Sequence, residues 1–221
     1  MPTSPIRLAA RAPARAIGRR VGAARLHRRL AQQIPPYRVE LGAGATARDG
    51  WIPTDISWRA RLTLDATRAW PFPPGSVSHV YGDNVIEHVT LDGARNLLRH
   101  AATAMRPGGR IRLVTPDAER CAEAYLARGE SAQALLEAHR GAGVRAEHRI
   151  DILRAVFIEY EHDRGYAWDF DALSAELAAA GFVAIERVEL EHSADPALRG
   201  LEWRVLPIDR LTMLAVEAVR P

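Results

Sequence analysis

Two glycines, Gly42 and Gly44, follow the run Val39-Glu40-Leu41, so a carboxylate stands two residues ahead of the first glycine. Glycine removes the side chain where a backbone must turn tightly and approach a ligand. The string Gly42-Ala43-Gly44-Ala45-Thr46-Ala47 also fits the dinucleotide pattern G-x-G-x-x-G/A. That pattern requires a long helix directly after the turn, because the helix N-terminus seats the pyrophosphate. Only Ala45 to Gly50 separate the turn from Trp51, which leaves room for barely one helical turn. A pyrophosphate would lack its seat, and Glu40 would repel it. The same carboxylate suits a ligand that carries an ammonium and a sulfonium.

Further acidic residues recur where strands should end. Asp55 and Asp65 can both reach the crevice beside the glycine turn. A carboxylate there can accept two hydrogen bonds from a ribose diol, each worth on the order of 1.5 to 3 kcal/mol when charge-assisted. Asp55 is the ribose candidate, and Asp65 could accept from an adenine amino group. Either could instead serve a turn or a cap. Glu87 and His88 follow the next strand: His88 could take a proton from an acceptor group, with Glu87 orienting it or touching the cofactor. The bland alternative is that the pair caps the helix beginning near Thr90. Asp117 reads more readily as a helix cap than as an acid. His88, His148 and His162 are scattered and no H-x-x-x-H or H-E-x-x-H pair occurs, so no metal site is expected.

These residues need elements to hold them. After Pro36 the pattern alternates between strand-like and helical stretches, the signature of βαβ units and an α/β fold with a mostly parallel sheet. Strands are expected at 38–41, 51–55, 62–64, 77–81 and 110–114, with two more at 182–190 and 211–219. Thr90 can cap a helix in which Ala94, Leu97, Leu98, Ala101 and Met105 recur at helical spacing, stopped by Pro107-Gly108-Gly109. Further helices are expected at 118–128, capped by Asp117, and at 171–180, ended by Gly181. In open parallel sheets, ligands bind outside the carboxyl ends of the strands. The end of the first strand is therefore the place to look.

All 30 basic residues are arginine, and nine of them precede Glu40, the first acidic residue; the leading segment carries +9 and the remainder −6. The sequence pI of about 9.5 thus describes chiefly an arm, 1–36, which holds eight of those nine arginines, and not the body, 37–221. A helix is expected from about Ala14 to Gln33, with a thin apolar stripe of Ile17, Val21, Ala24 and Leu30. It could lie on anionic lipid or RNA through residues 1–34, or simply pack one edge on the body. The mildly acidic body makes nucleic acid an unattractive partner. Cys121 is the lone cysteine, so an intrachain disulfide is excluded, and no run of about 18 uncharged apolar residues occurs. A cytoplasmic protein is expected.

The series VELGAG, DGWIPTDI, LDATRAWPFPPGSVSHVYGDNVIEHV, MRPGGRIRLVTPD, DFDALSAELAAAGF and LTMLAVEAVRP resembles the class I S-adenosyl-L-methionine (SAM)-dependent methyltransferases. More narrowly it is similar to compact bacterial type 11-like methyltransferase domains, in which the glycine turn runs almost directly into a GW-x-x-x-D strand. The likeness spans about Val39 to Pro221. It implies a Rossmann-like, seven-stranded sheet with the last strand antiparallel, and SAM across the ends of the first two strands. By matching position it assigns Glu40, Gly42 and Gly44 to the methionine-side turn, Asp55 to ribose and Asp65 to adenine. It also puts His162 in the acceptor wall, where Tyr166 and Trp168 either line a stacking pocket or pack in the core. His79 and Asp83 depart from the family pattern on the acceptor side. The expected function is an enzyme, transferring methyl to an oxygen or nitrogen of a small molecule or glycan. The rival is a non-catalytic protein of the same fold that docks on membrane or RNA.

Overall fold

The computed structural model describes residues 5–44, 46–159, 162–202, 205–206 and 209–221, with side chains of the first helix from Arg15 onward. Pro2 of the leader and Ala45 of the glycine pattern lie outside the described residues. In chain order the elements are α1 (Pro5–Gln32), β1 (Tyr37–Leu41), β2 (Ile52–Pro53), β3 (Val77–Asp83), α2 (Leu91–Ala104), β4 (Met105–Pro116), α3 (Ala118–Ala127), α4 (Glu130–Gly141), α5 (Asp151–Ile158), α6 (Phe170–Ala179), β5 (Val183–Val188), α7 (Asp209–Thr212) and β6 (Met213–Val219). Two 3-10 turns, Ile86–His88 and His162–Arg164, complete the described set.

One six-stranded sheet runs in the order β2-β1-β3-β4-β6-β5. Strands β2, β1, β3 and β4 are parallel, and β6 is antiparallel to both neighbours. The antiparallel last strand was expected; the expected seventh strand does not occur among the described residues. Residues 62–64 form only a single bridge, Thr63 with Asp55. The reason lies in α1: a Cβ on Gly22 would stand 2.0 Å from Thr63 Oγ1, and one on Gly18 would stand 2.4 Å from the Trp58 carbonyl oxygen. The helix lies against this stretch by its glycine edge and covers what an extended edge strand would otherwise expose. Leu26 and Leu30 then enter the main core, whereas Ile17, Val21 and Ala24 face solvent. The stripe read from sequence was therefore the outer face, apart from Leu30.

Successive residues of the strands feed different clusters. Val80 packs with Leu97, Leu98, Leu173 and Leu177 under α2 and α6, while Tyr81 packs with Trp51, Leu190, Leu201 and Met213 on the other face. Both faces are thus covered, as a parallel sheet requires. Burying each such leucine contributes roughly 1.5 to 3 kcal/mol. Helix α2 begins as expected, with Thr90 accepting from Gly93 N at 3.2 Å. It ends at Ala104, three residues before Pro107, so the Pro-Gly-Gly run forms the irregular start of β4. A third cluster, Cys121, Leu135, Leu136 and Ile152, joins α3, α4 and α5 beside the sheet. No helix of the described residues is long and apolar enough to cross a membrane.

Candidate active site

The glycine turn is built on β1 and tied to β2. Thr54 N and Oγ1 both donate to the Glu40 carbonyl at 2.8 Å, and Ala43 N donates to the Thr54 carbonyl at 2.9 Å. Gly42 and Gly44 take φ of +63° and +56°, the left-handed region that glycine alone enters without cost. A Cβ on Gly42 would also meet Val85 Cγ2 at 2.4 Å. Thr46 N donates to Ala43 O and Trp51 N to Arg48 O, so turns connect β1 to β2 and no helix occurs among the described residues between them.

Asp55 closes the turn from β2: one oxygen accepts from Gly44 N at 3.0 Å and the other from Ser57 N at 2.6 Å. Asp65 accepts from Thr67 N and Oγ1, at 3.1 and 2.7 Å, and pairs with Arg68 at 3.2 Å. Both aspartates, with Gly42 and His88, line a cavity of about 800 Å3 at the carboxyl ends of the parallel strands. A second cavity of about 390 Å3 lies beside it, lined by Glu40, Gly42, Gly44, Asp83 and Glu202 among others. The two share Leu41, Gly42 and Asn84.

Glu40 is buried, and its environment differs from the one anticipated. One carboxylate oxygen accepts from Arg48 Nε at 3.1 Å, while the other is buried with no hydrogen-bond partner. Arg48, placed over the Tyr81 ring, was missed because only the fold brings it back under β1. Asn84 was missed for a similar reason. It sits between the cavities at φ +52°, a conformation no periodic pattern signals.

Glu87 and His88, expected to face an acceptor, lie on the 3-10 turn after β3. Glu87 is buried; Thr115 Oγ1 donates to its Oε2 at 3.2 Å, and its Oε1 has no hydrogen-bond partner. Burial pushes its carboxyl up to about 8. His162 meets His88 ring to ring at 4.8 Å, and its Nδ1 lies 2.8 Å from the Val156 carbonyl oxygen. Burial lowers the His162 pKa. Glu87, His162 and Tyr166 line a third, small cavity of about 140 Å3. Trp168 also touches that cavity but is a core residue, its Nε1 donating to the Ile86 carbonyl at 3.3 Å.

The remaining expectations resolve as structural parts. Asp117 caps α3, accepting from Glu119 N at 3.1 Å, and pairs with Arg187 at 3.4 Å. His79 contacts Ser78 and Asp195, at 3.0 Å each. Asp83 accepts from Tyr81 and Asn84 side chains, and burial raises its pKa.

No family model and no curated protein sequence matches the chain. Among solved structures, one from Thermotoga maritima, described as a SAM-dependent methyltransferase and a possible histamine N-methyltransferase, superposes with a TM-score of 0.51 at 16% identity, covering 97% of each chain. Phosphoethanolamine N-methyltransferase 2 of Haemonchus contortus, in complex with SAM, gives 0.49 at 12% identity, over 89% of this chain and 51% of that one. A third structure, the CurJ carbon methyltransferase, gives 0.45 at 16% identity over 86% of this chain and 50% of that one. The chain spans about half the length of these last two. The first likeness shows the fold: this is the Rossmann-like fold of the class I methyltransferases, with one edge strand reduced to a bridge.

Proposed function

We propose that the protein is a SAM-dependent methyltransferase that acts on an oxygen or nitrogen nucleophile of a small molecule or glycan in the cytoplasm. The observation that carries this reading is one cavity, at the carboxyl ends of the parallel strands, lined together by Gly42, Asp55, Asp65 and His88. Its volume lies within the range of about 300 to 1,000 Å3 usual for small-ligand sites. The donor set fits SAM. Each Asp55 oxygen uses one lone pair on the backbone and keeps another for a ribose hydroxyl. Asp65 stands further along for the adenine amino group. The buried, unpartnered oxygen of Glu40 suits an ammonium at the methionine end.

Bound SAM supplies an electrophilic methyl carbon on a sulfonium, and the chain's task is to align and desolvate the acceptor. His88, which lines the large cavity, takes the acceptor's proton in this reading. Glu87 and His162 hold the polar wall behind it. With methyl-labelled SAM and a panel of small amines, hydroxy compounds and sugars, label should pass to at least one class of acceptor. His88→Ala should slow that transfer by about 10²- to 10⁴-fold, with affinity for S-adenosylhomocysteine (SAH) kept within about threefold of wild type. Transfer undiminished in this variant would remove His88 from the chemistry.

A second reading, peripheral membrane contact, is favoured by α1. Ile17, Val21 and Ala24 face solvent on one side of the helix, among the exposed Arg20, Arg25 and Arg28. Apolar residues beside arginines suit an anionic lipid surface better than RNA. Because Leu26 and Leu30 belong to the core, the test is a surface change, Ile17→Glu with Val21→Glu, and not removal of residues 1–34. Co-sedimentation with phosphatidylglycerol vesicles should be lost in the double variant; equal sedimentation rejects the contact.

A further inference from the structure

The geometry points to a divalent transition-metal site formed by Glu87, His88 and His162. One ligand atom from each, a carboxylate oxygen and two ring nitrogens, lies within 4.8 Å of the others. Residues 74 positions apart reach this arrangement because the segment around Gly165 is clamped onto the 3-10 turn after β3. Tyr166 N donates to the Glu87 carbonyl at 3.2 Å, and Trp168 Nε1 donates to the Ile86 carbonyl at 3.3 Å. Gly165 permits the contact, since a Cβ there would fall 1.6 Å from the Glu87 carbonyl oxygen. The scatter of His88, His148 and His162 along the sequence argued against a metal; two of those three meet in the fold.

Three further observations fit a cation. Glu87 Oε1 is buried with no hydrogen-bond partner, and leaving a buried carboxylate oxygen unsatisfied costs on the order of 1 to 3 kcal/mol. The contact of Nδ1 of His162 with the Val156 carbonyl at 2.8 Å suits the tautomer whose Nε2 carries the lone pair. Metal-ligating histidines commonly donate their other nitrogen to a backbone carbonyl in this way. Thr115 Oγ1 on Glu87 Oε2 orients the carboxylate likewise. Two imidazoles and one carboxylate form a donor set for Zn2+, Co2+, Fe2+ or Mn2+, with coordination positions left over. Tetrahedral bonds of about 2.1 Å set ligand atoms about 3.4 Å apart, so the side chains would close in by about 1.4 Å. His88 lines the large cavity and Glu87 and His162 the small one, so a cation they held would border both. A cation there would hold an acceptor's oxygen or nitrogen beside the cofactor and ease loss of its proton, with His88 then a ligand in place of the base; that consequence rests on the methyltransferase reading, whereas metal binding does not.

Co2+ alone, added to untagged full-length protein, tests the site through its visible d–d absorption, with Zn2+ displacement followed by calorimetry. One equivalent should bind. His88→Ala and His162→Ala should each weaken binding by more than about 100-fold, and Thr115→Val, which removes only the outer contact, by about 10- to 100-fold. His148→Ala, away from the cluster, should bind as wild type does. Circular dichroism and SAH titration of the same samples separate loss of the site from loss of the fold or of the cofactor. No stoichiometric Co2+ binding to folded wild type, or binding unchanged in both histidine variants, overturns the proposal whether or not SAH binds.

Discussion

Gly42 and Gly44 share a left-handed backbone but not a neighbourhood. A side chain at Gly42 would strike Val85, which lines the large cavity, while nothing lies within 4 Å of one at Gly44. Gly44→Ala should therefore carry only backbone strain, about 1 to 2 kcal/mol, read as a small fall in melting temperature. Gly42→Ala should carry the same strain and also push Val85 into the cavity, weakening SAH binding by at least about tenfold, since 1.4 kcal/mol is one decade. Equal effects of the two variants on affinity would contradict this placement of the turn. The residues at this turn were legible because they act locally: strand, glycine and aspartate follow one another within 17 residues, Val39 to Asp55. Arg48 beneath Glu40, Asn84 between the cavities and Thr115 behind Glu87 were not. Their roles come from strands that pair across long stretches of chain.

Among the elements, the clamp between residues 162–168 and the 3-10 turn after β3 holds the residues that the proposed function assigns to the acceptor. Gly165→Ala places a carbon inside the Glu87 carbonyl, so the two segments must part. Overpacking of this kind costs about 1 to 3 kcal/mol, which for a chain of this size lowers the melting temperature by about 2 to 12 °C at about 2 to 4 °C per kcal/mol. On the proposed function, methyl transfer should fall far more than SAH affinity, because Gly42, Asp55 and Asp65 lie on other segments, although Asp163 and Arg164 of the clamp also border that cavity. A variant that melts and transfers methyl as wild type does would disprove the clamp. The helices were read well from sequence where a capping residue opens a strong apolar repeat, as at Thr90 and Asp117. Helix α1 and its packing by one edge were read from sequence, but its inward face was misread because that face uses Gly18 and Gly22, which carry no hydrophobic signal, whereas exposed Ile17 and Val21 do. The residues 62–64 were misread as a strand since alternation alone cannot show that a helix has taken the edge.

At the scale of the whole molecule, charge is buried on one face of the sheet. Arg112 of β4 is fully enclosed and pairs with Glu217, opposite it on β6, and with Glu202, each at 2.6 Å; it also donates to the carbonyls of Glu189 and His192. This network ties the segment after β5 to the sheet face that carries Tyr81 and Trp51. Removing one member leaves uncompensated charge, so Arg112→Met should cost about 3 to 5 kcal/mol. Combining it with Glu202→Gln and Glu217→Gln should recover part of that in urea unfolding; a harmless single change would show that the segment is held by packing alone. The parallel sheet and its antiparallel closing strand were legible from the alternation of elements, but this charged interior was not, because Arg112 reads in sequence as one arginine among 30. The short link between β1 and β2 provides no long helix to seat a pyrophosphate, and the proposed function takes SAM as the ligand. Isothermal titration of SAH into the full-length protein tests that claim most directly. The account predicts saturable binding with one site, weakened in Asp55→Ala by about 10- to 100-fold through loss of charge-assisted hydrogen bonds, and no comparable binding of NADH. Absence of SAH binding by folded wild-type protein, or an affinity unchanged in Asp55→Ala, would contradict it.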